Sequence, residues 1–170
     1  VIQDRAVGRD DFHQRAVLED VRHALQVSGL PPQRLEIEIT ESSLLRNTQW
    51  TRDALAQLRE LGVNISLDDF GTGYSSLSYL HNFPLQKVKI DRSFLIDVTQ
   101  NQRSLDLLKG IVDLTRTLGL TVTIEGVETF EQLKILVHSV KPDLVQSFLF
   151  ATALRAAAFA TMSICPLPFP

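Results

Sequence analysis

The sequence holds one cysteine, Cys165, one tryptophan and one methionine in 170 residues. A lone cysteine excludes an internal disulfide framework and fits a reducing compartment. No uninterrupted apolar stretch is long enough to span a bilayer, and the opening VIQDRAVGRDDF is charged throughout, unlike a secretory signal. Excess positive charge is missing too. With 17 Lys and Arg against 20 Asp and Glu the formal net charge is −3, which offers no footprint for duplex nucleic acid. Neither a GxGxxG nor a GxxxxGK[ST] follows any candidate strand, so the usual nucleotide-phosphate loops are absent. These absences read as a cytoplasmic chain without a membrane segment, whose anionic ligand, if it has one, needs a metal to bridge it. Val1 stands where an initiating methionine would, so a piece of a longer protein is expected.

What is present is ordinary globular material: 44% hydrophobic and 22% charged residues, enough for one domain with a real core. That domain is expected over 1–163, with the proline-rich CPLPFP, inside 164–170, as a tail. Helical spacing in DDFHQRAVLEDVRHALQVSGL aligns Phe12, Val17, Val21, Leu25 and Val27 as a stripe, ended by Gly29 and the Pro31-Pro32 pair. RLEIEIT alternates instead, with Leu35, Ile37 and Ile39 on one face and Glu36, Glu38 and Thr40 on the other, a strand period. A helix follows over TQWTRDALAQLRELG, opening at Asn47 or Thr48, and then a strand at VNISLDD. Helical SSLSYL, a strand at QKVKID, a long helix in NQRSLDLLKGIVDLTRTLG, a strand at LTVTIEG, a helix at FEQLKILVHS, a short strand at PDLVQ and a helical RAAAFATMS complete the series. About five strands alternate with helices, and the first residues could hold a remnant of a sixth. This is the pattern of βα units in a mainly parallel sheet.

Polar residues gather at one end of these strands. Glu38 and Glu41 close the first, Asp68 and Asp69 the second, Lys89 and Asp91 the third, Glu125 and Glu128 the fourth and Gln146 the fifth. In an α/β barrel that end is where ligands bind, so a barrel is favoured over an open doubly wound sheet. Converging carboxylates with an amide and a lysine suit a hard cation, magnesium or manganese, which takes oxygen ligands. Two such ions about 3.5–4 Å apart would activate a water for in-line attack on phosphorus. The histidines, His13, His23, His81 and His138, read as surface residues. Glu36 reads as a solvated edge residue, and Asp97, Asp106 and Asp113 as solvated helix faces. For Lys89 an ordinary salt bridge to Asp91 is the alternative to a functional role. Phe70 and Tyr74 could simply pack the loop they flank.

The segments EIEITES, DDFGTGYSSLSYL, VKIDRSF, IEGVET and VQSFLF occur in the order and near the spacing seen in EAL domains. The sequence therefore resembles that family of bacterial cyclic-di-GMP phosphodiesterases and receptors, from the first helix almost to the C-terminus. The resemblance implies an α/β fold, a (β/α)8 TIM-like barrel of the EAL type, here incomplete at its N-terminus. It implies hydrolysis of cyclic-di-GMP to pGpG by a two-metal mechanism with Mg2+ or Mn2+. Glu38, Asp68, Asp69 and Glu125 would be metal ligands, and Lys89 would orient or activate the attacking water. Glu128 would support the metal shell, Glu41 would anchor the loop after Asp69, and Gln146, Asp91 and Phe148 would contact the nucleotide. Gly71 and Gly73 would supply unusual backbone angles to the loop from Phe70 to Ser76. A homodimer or attached regulatory domains are the implied partners besides the nucleotide.

Two departures bear on activity. The glutamate of the EAL tripeptide has no counterpart, and Val1 falls where the family places an asparagine ligand; a valine side chain offers no oxygen to a cation. Near the other end, Ser147 and Phe148 replace a glycine and a tyrosine, and ATALR replaces a basic residue with proline. The expectation is a chain inactive by itself, with a catalytically degenerate receptor or protein-interaction module as the alternative. An unrelated magnesium-dependent barrel of the enolase type would share the strand-end carboxylates and lysine, but leaves the DDFGTGYSS loop without a purpose.

Overall fold

The computed structural model describes residues 11–45, 49–72 and 78–147. Five parallel strands form one sheet in the order β1 (Glu36–Thr40), β2 (Asn64–Phe70), β3 (Lys87–Ile90), β4 (Thr121–Val127) and β5 (Leu144–Ser147). An open doubly wound sheet reverses its strand order at a switch point. This order never reverses, so each connection advances one strand in the same sense, as in a barrel wall. The architecture is a partial α/β TIM-like barrel.

Helix α1 (Asp11–Ser28) precedes β1, and α2 (Glu41–Leu45), α3 (Gln49–Glu60), α4 (Ser78–Asn82), α5 (Gln102–Thr117) and α6 (Phe130–Ile135) occupy the connections between strands. The main core lies between the wall and these helices. Ile65 and Leu67, Val88 and Ile90, and Val122 and Ile124 are buried from successive strands, meeting Leu55 and Leu58 of α3 and Leu108 and Val112 of α5. Because side chains alternate along a strand, the opposite face of the wall receives Ser66 and Asp68, Lys87 and Lys89, and Thr123 and Glu125. The barrel interior is therefore polar, and its layers are visible in its ion pairs. Lys87 meets Glu36 at 2.5 Å near the strand starts, and Lys89 meets carboxylates one layer above. At the lower rim, Gln86 Oε1 accepts from the Ile65 N–H at 2.7 Å and Asp143 Oδ2 from the Val122 N–H at 2.8 Å.

Several expectations need correction. The α1 stripe is narrower than predicted: Val21 is buried and Leu18 and Leu25 pack on the core, while Val17 and Val27 are exposed. At 100° per residue, Val27 lies about 200° around the helix from Leu25, on the far face. Glu36 is not a solvated edge residue, since Lys87 reaches it across β2. The helix expected at FEQLKILVHS is α6 followed by a π turn, Leu136–Val140, ended by Lys141 at φ 54°. Two 3₁₀ turns, Pro32–Arg34 and Arg92–Leu95, and α2 had no predicted counterpart. His23, His81 and His138 are exposed, as are Asp97, Asp106 and Asp113. Asn47, Thr48, Gly73, Tyr74, Phe148, the possible sixth strand, the RAAAFATMS helix and the tail lie outside the described residues, and so do the side chains of Phe12 and His13. No helix among the described residues is long and apolar enough to cross a membrane.

Candidate metal centre

Strand β2 ends on two adjacent carboxylates, and a regular strand would send them to opposite faces. The β2–β3 ladder is instead irregular between Leu67 and Phe70, and Asp69 sits at φ 54°, in the left-handed region. Such a bulge swings the second side chain round beside the first, and aspartate tolerates that backbone better than a β-branched residue would. The same device recurs in β4. Its ladder to β5 shifts register between Ile124 and Val127, with Gly126 at φ 68°. As a result, one carboxylate oxygen each from Asp68, Asp69 and Glu125 lie within 4.8 Å of one another at the C-terminal end of the wall.

Lys89 joins this cluster from β3. Its ammonium, 8% exposed, lies 2.7 Å from Glu125 Oε1, 2.9 Å from Asp68 Oδ1 and 2.9 Å from Glu38 Oε1. The alternative pairing with Asp91 is not formed, because Asp91 instead caps the 3₁₀ turn Arg92–Leu95, accepting from the Ser93 N–H at 2.9 Å. Burial would depress the Lys89 pKa, but the close Glu125, Glu38 and Asp68 oxygens outweigh it and hold the ammonium above the usual lysine range. Burial pushes the Glu125 carboxyl up, with Lys89 opposing. Asp69 is raised by burial and by the neighbouring Asp68 and Asp91 charges. Burial would likewise raise Asp91, but its Ser93 hydrogen bonds keep it below the ordinary carboxylate range.

The donor set fits a hard cation. Asp68 Oδ1 and Glu125 Oε1 are buried and lie 2.9 and 2.7 Å from the Lys89 ammonium. Each carboxylate oxygen keeps acceptor capacity beyond one ammonium contact, and oxygen-only donors suit a hard divalent cation.

The remaining predicted residues surround the cluster. Glu41, 4% exposed at the start of α2, accepts from the Gly71 N–H at 3.4 Å and so reaches the turn after Asp69. Glu128 is exposed and pairs with Arg92 at 3.6 Å. Gln146 projects from β5 beside the β4 bulge and is exposed. Phe70 is buried in the core. Asp91 and Glu128, with Arg92, Ser93, Gly126 and Gln132, line an open cleft of ≈ 620 Å³ that adjoins the carboxylate cluster without containing it.

Sequence reasoning missed what holds the two bulges. A Cβ on Gly71, at φ 99°, would stand 2.1 Å from the Phe94 ring, and one on Gly126 would stand 2.5 Å from Arg92 Cβ. A single 3₁₀ turn thus presses on both ligand-bearing bends, and Gln132 Nε2 ties it to α6 by donating to the Leu95 carbonyl at 3.2 Å. The glycine inside the strand pattern TVTIEGV was the available signal, because such a glycine marks a bulge or a close approach.

Residues 6–153 match the sequence pattern of the EAL domain. Cyclic di-GMP phosphodiesterase NbdA of Pseudomonas aeruginosa is 46% identical over 143 residues, which is 84% of this chain and 18% of that protein. Among solved structures, the PaMucR phosphodiesterase in complex with c-di-GMP superposes with a TM-score of 0.78 at 38% identity, covering 85% of this chain and 58% of that one. A manganese and cy-diGMP complex of Klebsiella pneumoniae BlrP1 has a TM-score of 0.75 at 35% identity, over 81% of this chain and 35% of that one. The chain thus spans less than a fifth of the length of the curated relative and little more than half of the first of these structures.

Proposed function

This chain belongs to the EAL domain family, and from that premise we propose that it is part of a domain that linearises cyclic-di-GMP to pGpG with two bound Mg2+ or Mn2+ ions. The observation that carries the reading is the meeting of Asp68, Asp69 and Glu125 oxygens within 4.8 Å at the mouth of a parallel barrel wall. Glu38, Asp68, Asp69 and Glu125 would hold the metals. Bound there, the ions would polarise the phosphodiester and supply hydroxide at neutral pH. Lys89, whose ammonium lies beside the Asp68 and Glu125 oxygens, would orient or activate the attacking water. Glu41 would fix the turn that carries Asp69 through the Gly71 N–H. Glu128 would support the metal shell from the cleft. Asp91, Gln146 and Phe148 would contact the nucleotide. Residues 1–163 are assigned to the domain and 164–170 to a tail, with a homodimer or attached regulatory domains in the full protein.

The test is turnover of cyclic-di-GMP with Mg2+ or Mn2+, read as pGpG by chromatography, for the full-length protein and for this chain. Turnover by the full-length protein that is lost in Asp68→Asn and Asp69→Asn supports the reading, and this chain alone is expected to be inactive. Calorimetric binding without turnover in either would replace it with a receptor. Neither binding nor turnover would remove the nucleotide from the account.

A further inference from the structure

The Lys89 ammonium and the candidate metal compete for the same oxygens. Asp68 and Glu125 belong to the group whose oxygens lie within 4.8 Å of one another, and both also touch Lys89, at 2.9 and 2.7 Å. Glu38 completes the lysine's set at 2.9 Å, while Asp69 is not among its ion-pair partners. Among the described residues, three carboxylates therefore share the Lys89 ammonium with Asp69 beside them, and removing that charge would leave buried acids uncompensated.

We infer that Lys89 is the internal counter-ion of this carboxylate cluster, and that a divalent ion enters by exchanging with its ammonium for the Asp68 and Glu125 oxygens. The inference rests on the metal-centre reading above. Lys87, one layer below, is already paired with Glu36, so the lower barrel offers no free carboxylate on that pair to receive the displaced ammonium. The flexible four-carbon stem lets the Lys89 ammonium move off those oxygens while its backbone stays in β3. Metal loading thus frees the Lys89 ammonium from its part as an internal counter-ion.

The test is titration of the full chain with Mn2+, followed by the electron paramagnetic resonance signal of the free ion. In Lys89→Met, which keeps length and apolar stem but not charge, Mn2+ affinity rises about tenfold or more at low ionic strength. Lys89→Arg, which keeps the charge, binds no tighter than the parent chain. A merely structural lysine would give the opposite result, since Lys89→Met would weaken binding by loosening the site. Equal or weaker affinity in Lys89→Met overturns the inference while leaving the metal centre standing. Absence of Mn2+ binding by the unsubstituted chain overturns both. If Lys89→Met does not fold, acylation of lysines in the unsubstituted chain carries the test: Lys89 is protected without metal and reacts faster once Mn2+ is bound, and unchanged protection overturns the exchange.

Discussion

Replacing Gly126 by alanine probes how the centre is held, and its cost can be worked from two separable terms. At φ 68° an L side chain sits in the left-handed region, which costs about 1–2 kcal/mol. The new Cβ would also stand 2.5 Å from Arg92 Cβ, an atom fixed to its backbone and unable to swing aside. Overpacking of this kind costs about 1–3 kcal/mol. Gly126→Ala is therefore expected to destabilise the fold by about 2–5 kcal/mol in urea unfolding. Gly119 provides the control, because it has φ 75° and nothing within 4 Å of a Cβ. Gly119→Ala measures the conformational term alone, about 1–2 kcal/mol. In an Arg92→Gly background the steric term disappears, so the double-mutant cycle returns a coupling of about 1–3 kcal/mol. The reasoning is refuted if Gly126→Ala costs no more than Gly119→Ala, or if the cycle is additive within about 0.5 kcal/mol.

Three further outcomes follow from other parts of the wall. Val122 N–H donation holds the Asp143 carboxyl below the ordinary carboxylate range, with Arg116 assisting. The ionised group therefore contributes stability above its unfolded pKa of about 3.9, and loses it as pH falls through the lowered folded value. The urea midpoints of the parent chain and Asp143→Asn should differ by a constant amount from pH 5 to 7 and converge below about pH 4; a gap that persists to pH 2 contradicts this. Among the described residues Thr123 Oγ1 is buried without a hydrogen-bond partner, so Thr123→Val should be neutral or stabilising by about 1 kcal/mol in the same assay, and a loss above about 1 kcal/mol would mean the hydroxyl is satisfied. Mn2+ at a hundredfold excess over its dissociation constant should stabilise the chain by about 2.7 kcal/mol, reversed by chelator and absent in Asp68→Asn, and a Mn2+ shift that survives Asp68→Asn would place the metal elsewhere.

The strands were legible because their signal is local. EIEIT alternates with period two, and TVTIEGV and KVKI carry β-branched residues on the face that meets the helices, so burial and propensity agree. The carboxylates at strand ends were legible for the same reason, since a parallel wall puts all those ends together. Partners across the barrel were not. Lys89 has a carboxylate two residues away in sequence, Asp91, and local reasoning pairs the two; the structure instead gives it Glu38, 51 residues earlier, and Glu125, 36 later. Glu36 was misread likewise, because its partner Lys87 lies two strands away and only the register of β2 brings them face to face. Side-chain choice across a barrel depends on closure, which no window of sequence contains.

The recurrence of one backbone device on β2 and β4 explains why the metal-type cluster sits where it does. A regular parallel sheet offers one inward residue per strand in each layer, so three converging acids would need three neighbouring strands. Here the intervening strand β3 supplies Lys89 instead, and the bulge at Asp69 makes good the missing acid by turning a second carboxylate inward from β2. The bulge at Gly126 lets β4 bend beside Glu125 while the turn Arg92–Leu95 closes against it. Left-handed backbone at a non-glycine residue persists only where its surroundings over-determine it. For Asp69 those surroundings are the Phe94 ring against Gly71 and the Glu41 carboxylate on the Gly71 N–H. Neither contact touches the carboxylate itself. Substituting Phe94 or Glu41 should therefore act on the centre through the position of Asp69, while leaving its charge and its donor atoms unchanged.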